Sequence, residues 1–289
     1  MADPEGPANS SPVNMTISHL YVATCTTSAR PRSLAIRTML CFACAATASW
    51  ANAQEDAQGK TAQWALGAAV RAEQELYKGT GRETVLLPLV RFENRYVSVQ
   101  LPTVELKLPQ LSLGRSSGLD FRLMATYEGD GYKASDSAFL AGMSARKASV
   151  WAGAKATWET PLTELSVEWL RDASGNSGGR VVNLELETEF DVGASLEISP
   201  RVGVSMLDQR YVDYYYGVRL GEASLSRPVY AGRSARNYEL GVRATYAYSR
   251  QHLFIFDASR TKLSQTITAS PLVDRSSQAE LSLVYAYRF

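Results

Sequence analysis

Apolar and polar residues alternate along most of this chain, in runs of about ten residues parted by polar, Gly-rich or Tyr-rich stretches. Residues 119–127 set Leu119, Phe121, Leu123, Ala125 and Tyr127 against Asp120, Arg122 and Thr126. Residues 182–190 set Val182, Leu184, Leu186 and Phe190 against Asn183, Glu185, Glu187 and Glu189. Residues 196–206 and 238–248 repeat the pattern. Successive side chains of a strand face opposite sides, so each run predicts a strand with one apolar and one polar face. Candidate strands lie near 63–72, 84–93, 95–101, 118–127, 148–158, 163–171, 180–190, 195–207, 237–248, 252–261 and 278–289. Residues 104–108 could add a short one. The expected fold is all-β, a transmembrane antiparallel β-barrel. Such barrels have even strand numbers, so twelve strands are favoured, with ten as the alternative.

A water-soluble sandwich alternates too, and the two ends of the chain decide between them. Arg30, Arg32 and Arg37 precede the short apolar run 39–46, which is followed by Ala51-Asn52-Ala53. This is the pattern of a secretory signal, with cleavage expected after Ala53 and before Gln54. Residues 1–53 are thus an N-terminal extension and signal peptide, and 54–289 a single barrel domain. Met15 and Met39 are alternative starts, and Cys44 lacks the leucine three residues earlier that a lipoprotein site needs. At the other end Ala279, Leu281, Leu283, Tyr285, Tyr287 and Phe289 occupy every second position. A last strand ending in Phe289, with Tyr287 and Tyr285 before it, is similar to the signature read by outer-membrane assembly machinery. Phe289 is therefore expected to serve insertion rather than any activity of the finished barrel. Short connections at 159–162, 191–193 and 249–251 alternate with long ones at 128–147, 172–179, 208–236 and 262–276. Periplasmic turns and extracellular loops differ in this way, which places the chain in a Gram-negative outer membrane, with its lipid as the first partner.

Removing the leader removes all three cysteines and His19, and leaves twenty-seven basic and twenty-seven acidic residues. A neutral balance gives no support to nucleic-acid binding. No thiol, cofactor motif or metal-ligand spacing remains, and His252 has no Ser or Asp constellation around it. An enzyme and a cofactor are not expected. The charges that alternation turns inward are the informative ones: Lys155, Glu168, Glu185, Glu187, Glu189, Arg201, Arg243 and Asp257, with Arg71 and Arg122. Either they pair and fill the lumen, or they line a narrow channel. Turn positions set Trp158 opposite Leu165 and Lys155 opposite Glu168. They also set Tyr248 opposite His252, and hence Arg243 opposite Asp257. The segment 208–236 holds Tyr211, Tyr214, Tyr215, Tyr216 and Tyr230. These rings suit either a lid packed into the barrel mouth or an exposed contact surface.

Within that segment Asp213-Tyr214-Tyr215-Tyr216-Gly217-Val218 resembles the central motif of the MipA/OmpV family of outer-membrane proteins. Ser270-Pro271-Leu272-Val273 resembles that family too, as do Tyr77-Lys78-Gly79 with Leu87-Pro88, and Gly131-Tyr132 with Asp136-Ser137 and Leu140-Ala141-Gly142-Met143. The short matches spread over 77–289. Gly175-Asn176-Ser177-Gly178-Gly179 departs from the family, which often carries a histidine there. The resemblance implies an outer-membrane barrel acting as a scaffold that joins a murein transglycosylase to a peptidoglycan synthase. A small channel or an adhesin is the alternative.

Overall fold

The computed structural model describes residues 62–289 apart from 115 and 130. The signal-cleavage positions Ala51, Ala53 and Gln54 lie outside the described residues. The strands, in chain order, are β1 Gln63–Gln74, β2 Arg82–Glu93, β3 Val97–Gln100 and β4 Thr103–Lys107. They continue with β5 Gly118–Glu128, β6 Ser149–Glu159, β7 Thr163–Asp172 and β8 Arg180–Thr188. The last four are β9 Leu196–Leu207, β10 Ala235–Ala247, β11 His252–Lys262 and β12 Ser277–Arg288. Leu111–Ser112 extends the wall position of β4, since both pair with β5. Phe190–Val192 likewise continues β8 along β9. Every strand pairs antiparallel with the next, and β12 pairs back onto β1 from Ala65↔Arg288 to Glu73↔Glu280. The result is a closed barrel of twelve strands.

Closure follows from the sequence pattern. The outward positions of β12 and β1, including Leu281, Leu283, Tyr285, Leu66 and Val70, are exposed and apolar. Such a belt is costly in water and stable in hydrocarbon, where an open sheet edge would leave unsatisfied backbone groups. Phe289 continues the seam by donating its N–H to the Trp64 carbonyl at 3.0 Å. At the same end His252 Nδ1 lies 2.9 Å from the Tyr285 hydroxyl, and the Tyr287 and Phe289 rings meet at 5.0 Å. Trp64 and Phe92 pack at 4.6 Å beside them. This aromatic girdle is the interfacial belt expected where hydrocarbon meets water.

The short turns share the girdle's end of the barrel. At 94–96 the Asn94 carboxamide oxygen accepts from Tyr96 N at 2.8 Å and Val97 N at 2.7 Å. The long connections 75–81, 129–148, 173–179, 208–234 and 263–276 gather at the other end, which the length rule makes extracellular. One stretch of wall is low. The β3–β4 hairpin turns at Leu101–Pro102, and β2 pairs with β3 only over Arg91–Glu93. Among the described residues no strand pairs with the other edge of β2 above Val90. Val90 O accepts from Leu101 N on that side, so the alternation of the backbone turns the nitrogen of Pro88 to the same free edge. A proline there offers no N–H to a stray strand, the usual protection of an open edge.

Close backbone approach at the seam gives a test. A Cβ on Gly67 would sit 1.8 Å from the Tyr285 carbonyl oxygen, whereas one on Gly114 would meet nothing within 4 Å. Gly67→Ala is expected to reduce the compact, heat-modifiable band on gels, and Gly114→Ala to leave it unchanged. Equal behaviour of the two would contradict the seam geometry.

Candidate functional site in the lidded lumen

The inward residues of the wall form a charged network. Arg201 on β9 is its hub. Its guanidinium grips Asp257 on β11 through Nη1 at 2.7 Å and Nη2 at 2.8 Å, and its Nε reaches Glu239 at 3.2 Å and Glu185 at 3.9 Å. Arg201 must cross β10 to do this. Its register partner there is Gly241, and a Cβ at that position would come within 2.7 Å of the guanidinium carbon. Arg243 lies opposite Asp257 in the β10–β11 ladder, 3.3 Å from it and 3.3 Å from Glu187. Lys155 lies opposite Glu168, with Nζ and Oε1 3.6 Å apart and both side chains buried. Asn183 also donates to Glu168 at 3.3 Å. Glu189 sits at the turn end of β8, its N–H on the Leu162 carbonyl at 3.1 Å. Charges enclosed this way hold one another: removing one partner of a buried pair typically costs about 3–5 kcal/mol, since the other is left uncompensated.

Above the network a lid closes the mouth. Helix α1, Gln209–Tyr216, starts where the Asp208 carboxylate accepts from Tyr211 N at 2.9 Å, an N-cap. Val212, Tyr215 and Tyr216 fall on one face at i, i+3 and i+4 and are fully buried. That face packs with Leu140 and Met143 from 129–148, with Ile267, Leu272 and Val273 from 263–276, and with Leu76 and Tyr77 beside β1. Hydrogen bonds fix the same contacts. Ser270 Oγ donates to the Tyr216 carbonyl at 2.6 Å, and Tyr77 OH to the Tyr215 carbonyl at 3.2 Å. Lys78 N donates to the Leu272 carbonyl at 2.8 Å. Val218 and Tyr230 exchange backbone bonds at 2.8 and 3.1 Å, and the Tyr230 hydroxyl donates to the Thr266 carbonyl.

One ion pair ties two loops under the lid. Arg146 grips Glu222 bidentately at 2.8 and 3.0 Å, and its Nε donates to the Tyr214 carbonyl at 2.7 Å. Its guanidinium also lies 5.7 Å from the Tyr132 and Tyr214 rings. Burial alone would push the Glu222 carboxyl up. The Arg146 guanidinium and the N–H groups of Arg219 and Ser144 outweigh it, holding the carboxyl at about 2. The loop Gly175–Gly179, without the histidine of the family pattern, closes instead on Asp172. That carboxylate accepts from the backbone of Ser174, Gly175, Ser177 and Gly178 at 2.6 to 3.0 Å.

Between lid and network lies a cavity of about 220 Å³, roofed by Tyr211 and Tyr216 and walled by Arg71, Glu185, Arg201 and Asp257. Its polar lining suits a few ordered waters. The motif residues Tyr214, Tyr215, Tyr216, Gly217, Val218, Ser270 and Pro271 thus come together in the lid, while Tyr285, Tyr287 and Phe289 sit at the opposite end. Sequence reasoning missed the helix and the Arg146–Glu222 pair. The Asp208 cap and the i, i+3, i+4 spacing of Val212, Tyr215 and Tyr216 were the available signal for the helix; nothing local marks a pair separated by seventy-six residues.

The family described as MltA-interacting protein MipA matches residues 66–289. The chain is 25% identical to the putative outer membrane protein YiaT of Escherichia coli K12, over 81% of this chain and 94% of that protein. It is 26% identical to the outer membrane protein OmpV of Vibrio cholerae, over 60% of this chain and 72% of that one. It is 28% identical to the MltA-interacting protein of Escherichia coli K12, over 50% of this chain and 58% of that relative. The chain belongs to the MipA family, and its barrel resides in the outer membrane.

The depressed Glu222 carboxyl sets an acid limit on the lid. A carboxyl lowered in the folded state contributes stability that is complete above its ordinary value of 4.5 and lost as pH falls toward 2. Near-UV circular dichroism of the packed tyrosines should hold from pH 7 to about 5 and decay between about 4.5 and 2. Glu222→Gln should lack that transition. A parent signal flat to pH 2, or the same transition in the variant, would contradict the pairing.

Proposed function

We propose that this member of the MipA family is a sealed barrel that serves as an outer-membrane anchor for murein enzymes, not a passage for solutes. The observation that carries this reading is the double occlusion of the lumen, by the lid over its mouth and by the Arg201–Asp257 network across its middle. A barrel of twelve strands is narrow, well below the sixteen to eighteen of open porins. With its interior spent on its own charges, what it offers is surface. The relative named MltA-interacting protein has an interaction in its name. Carried to this chain, it makes a lytic murein transglycosylase the first partner to test and a peptidoglycan synthase the second. Murein lies in the periplasm, so the docking surface would be the turn end, with 94–96, 160–162 and 248–251.

Purified, tagged barrel mixed with solubilised envelope should retain a lytic transglycosylase on the affinity matrix. Tyr216→Ala, which loosens the lid at the far end, should retain as much. Failure of the folded parent to retain any murein enzyme would overturn the reading. Retention lost in Tyr216→Ala alone would move the surface to the lid.

A further inference from the structure

Arg201, Arg243 and Lys155 pair with acids inside the barrel, but among the described residues a set of cations on the outside pairs with none. Arg171 is the penultimate residue of β7, Arg180 begins β8, Arg236 is the second residue of β10 and Lys262 the last of β11. All four are exposed. Alternation turns them outward, in phase with Trp169, Val182 and Tyr238. All stand at the long-loop end, just above the apolar belt, where the loop-length rule sets the outer-leaflet headgroups. Among the described residues no carboxylate forms an ion pair with any of them. Arg171 and Arg180 even face each other directly across the β7–β8 ladder. Like charges in that relation destabilise a sheet unless an anion lies between them. In a chain with a neutral overall balance beyond its leader, this segregation is local.

Below the cations the wall opens into a groove of about 880 Å³. Trp169, Val182, Met206 and Tyr238 form its apolar floor, and Arg180, Arg236 and Lys262 stand around it, with Ser234, Ser264 and Gln265 toward the loops. Asp208 also lines it, but its Oδ1 is taken by the N-cap bond of α1. Cations over an apolar floor, at the outer-leaflet boundary, complement a molecule with acyl chains below and phosphate above. We propose that this groove binds the phosphorylated glucosamine lipid of the outer leaflet. Its acyl chains lie along Trp169, Val182, Met206 and Tyr238, and its phosphate is held by Arg180, Arg236 and Lys262. Arginine suits the role because its planar fork matches phosphate oxygens bidentately. The site faces the membrane, shares only its loop-ward rim with the lid and stands apart from lumen and periplasmic turns, so it does not rest on the murein reading.

The test titrates folded barrel in detergent with lipid A, with enzymatically dephosphorylated lipid A, and with phosphatidylglycerol, counting bound lipid by native mass spectrometry. The parent is expected to bind lipid A at least ~10-fold more tightly than the dephosphorylated form and more tightly than phosphatidylglycerol. The combined variant R180Q/R236Q/K262Q should lose that preference, while Arg250→Gln, an exposed cation in the turn 248–251 at the opposite end, should keep it. No preference in the parent, equal binding of phosphatidylglycerol, or a preference surviving in the triple variant would each overturn the proposal. The parent comparison stands whether or not the triple variant folds.

Discussion

Hydrocarbon offers a polypeptide no hydrogen-bond partner, so every N–H and C=O of a strand crossing it must be met by another strand. Here pairing β12 with β1 closes the sheet and meets that constraint except along the upper edge of β2, and much else depends on it. A ring of twelve strands encloses a narrow interior in which alternate residues are forced inward. Half of each strand must therefore suit lipid and the other half a space too small to hydrate isolated charges. The Arg201–Asp257–Arg243 cluster and the Lys155–Glu168 pair are the answer to the second demand. Gly241 shows how closely backbone and network are fitted, since the guanidinium passes over it.

Much of this was legible in the sequence because the period of two is strict and each face has a different solvent. Alternation in β8 and β9 alone separates Leu184 and Leu186 from Glu185 and Glu187. Turn positions carry enough register information to set Arg243 opposite Asp257. The partner that holds Asp257 most firmly, Arg201, was not legible as such. It sits two strands away and reaches its acid only because one glycine lies in its path. Residues 208–236 were harder for another reason. Tyrosines favour strands and loops as readily as helices, so the segment reads as a loop until the Asp208 cap and the spacing of Val212, Tyr215 and Tyr216 are weighed together. The β3–β4 hairpin was uncertain because its strands are only four and five residues long.

The two ends of the barrel are built on different physics. The turn end is an aromatic girdle around His252, Tyr285 and Tyr287, suited to the membrane interface. The loop end is a compact hydrophobic cap in which four connections share one core, stapled by Arg146 and Glu222. Most residues that resemble the family motif lie in this cap, whereas Leu87 and Pro88 stand in the wall on β2. Their chemistry there is packing: rings at 4.7 to 6.0 Å and hydroxyls bonded to backbone carbonyls of other loops.

If lid and network seal the barrel, ions should not pass through it. The direct measurement is the conductance of the refolded, heat-modifiable parent in planar lipid bilayers at moderate salt. The doubly occluded lumen predicts no stable ohmic steps at low voltage, and none when the lid alone is unpinned, as in Ser270→Ala combined with Tyr216→Ala, because the Arg201–Asp257 network still crosses the middle. Steady conductance through the intact parent would contradict it and make the barrel a channel.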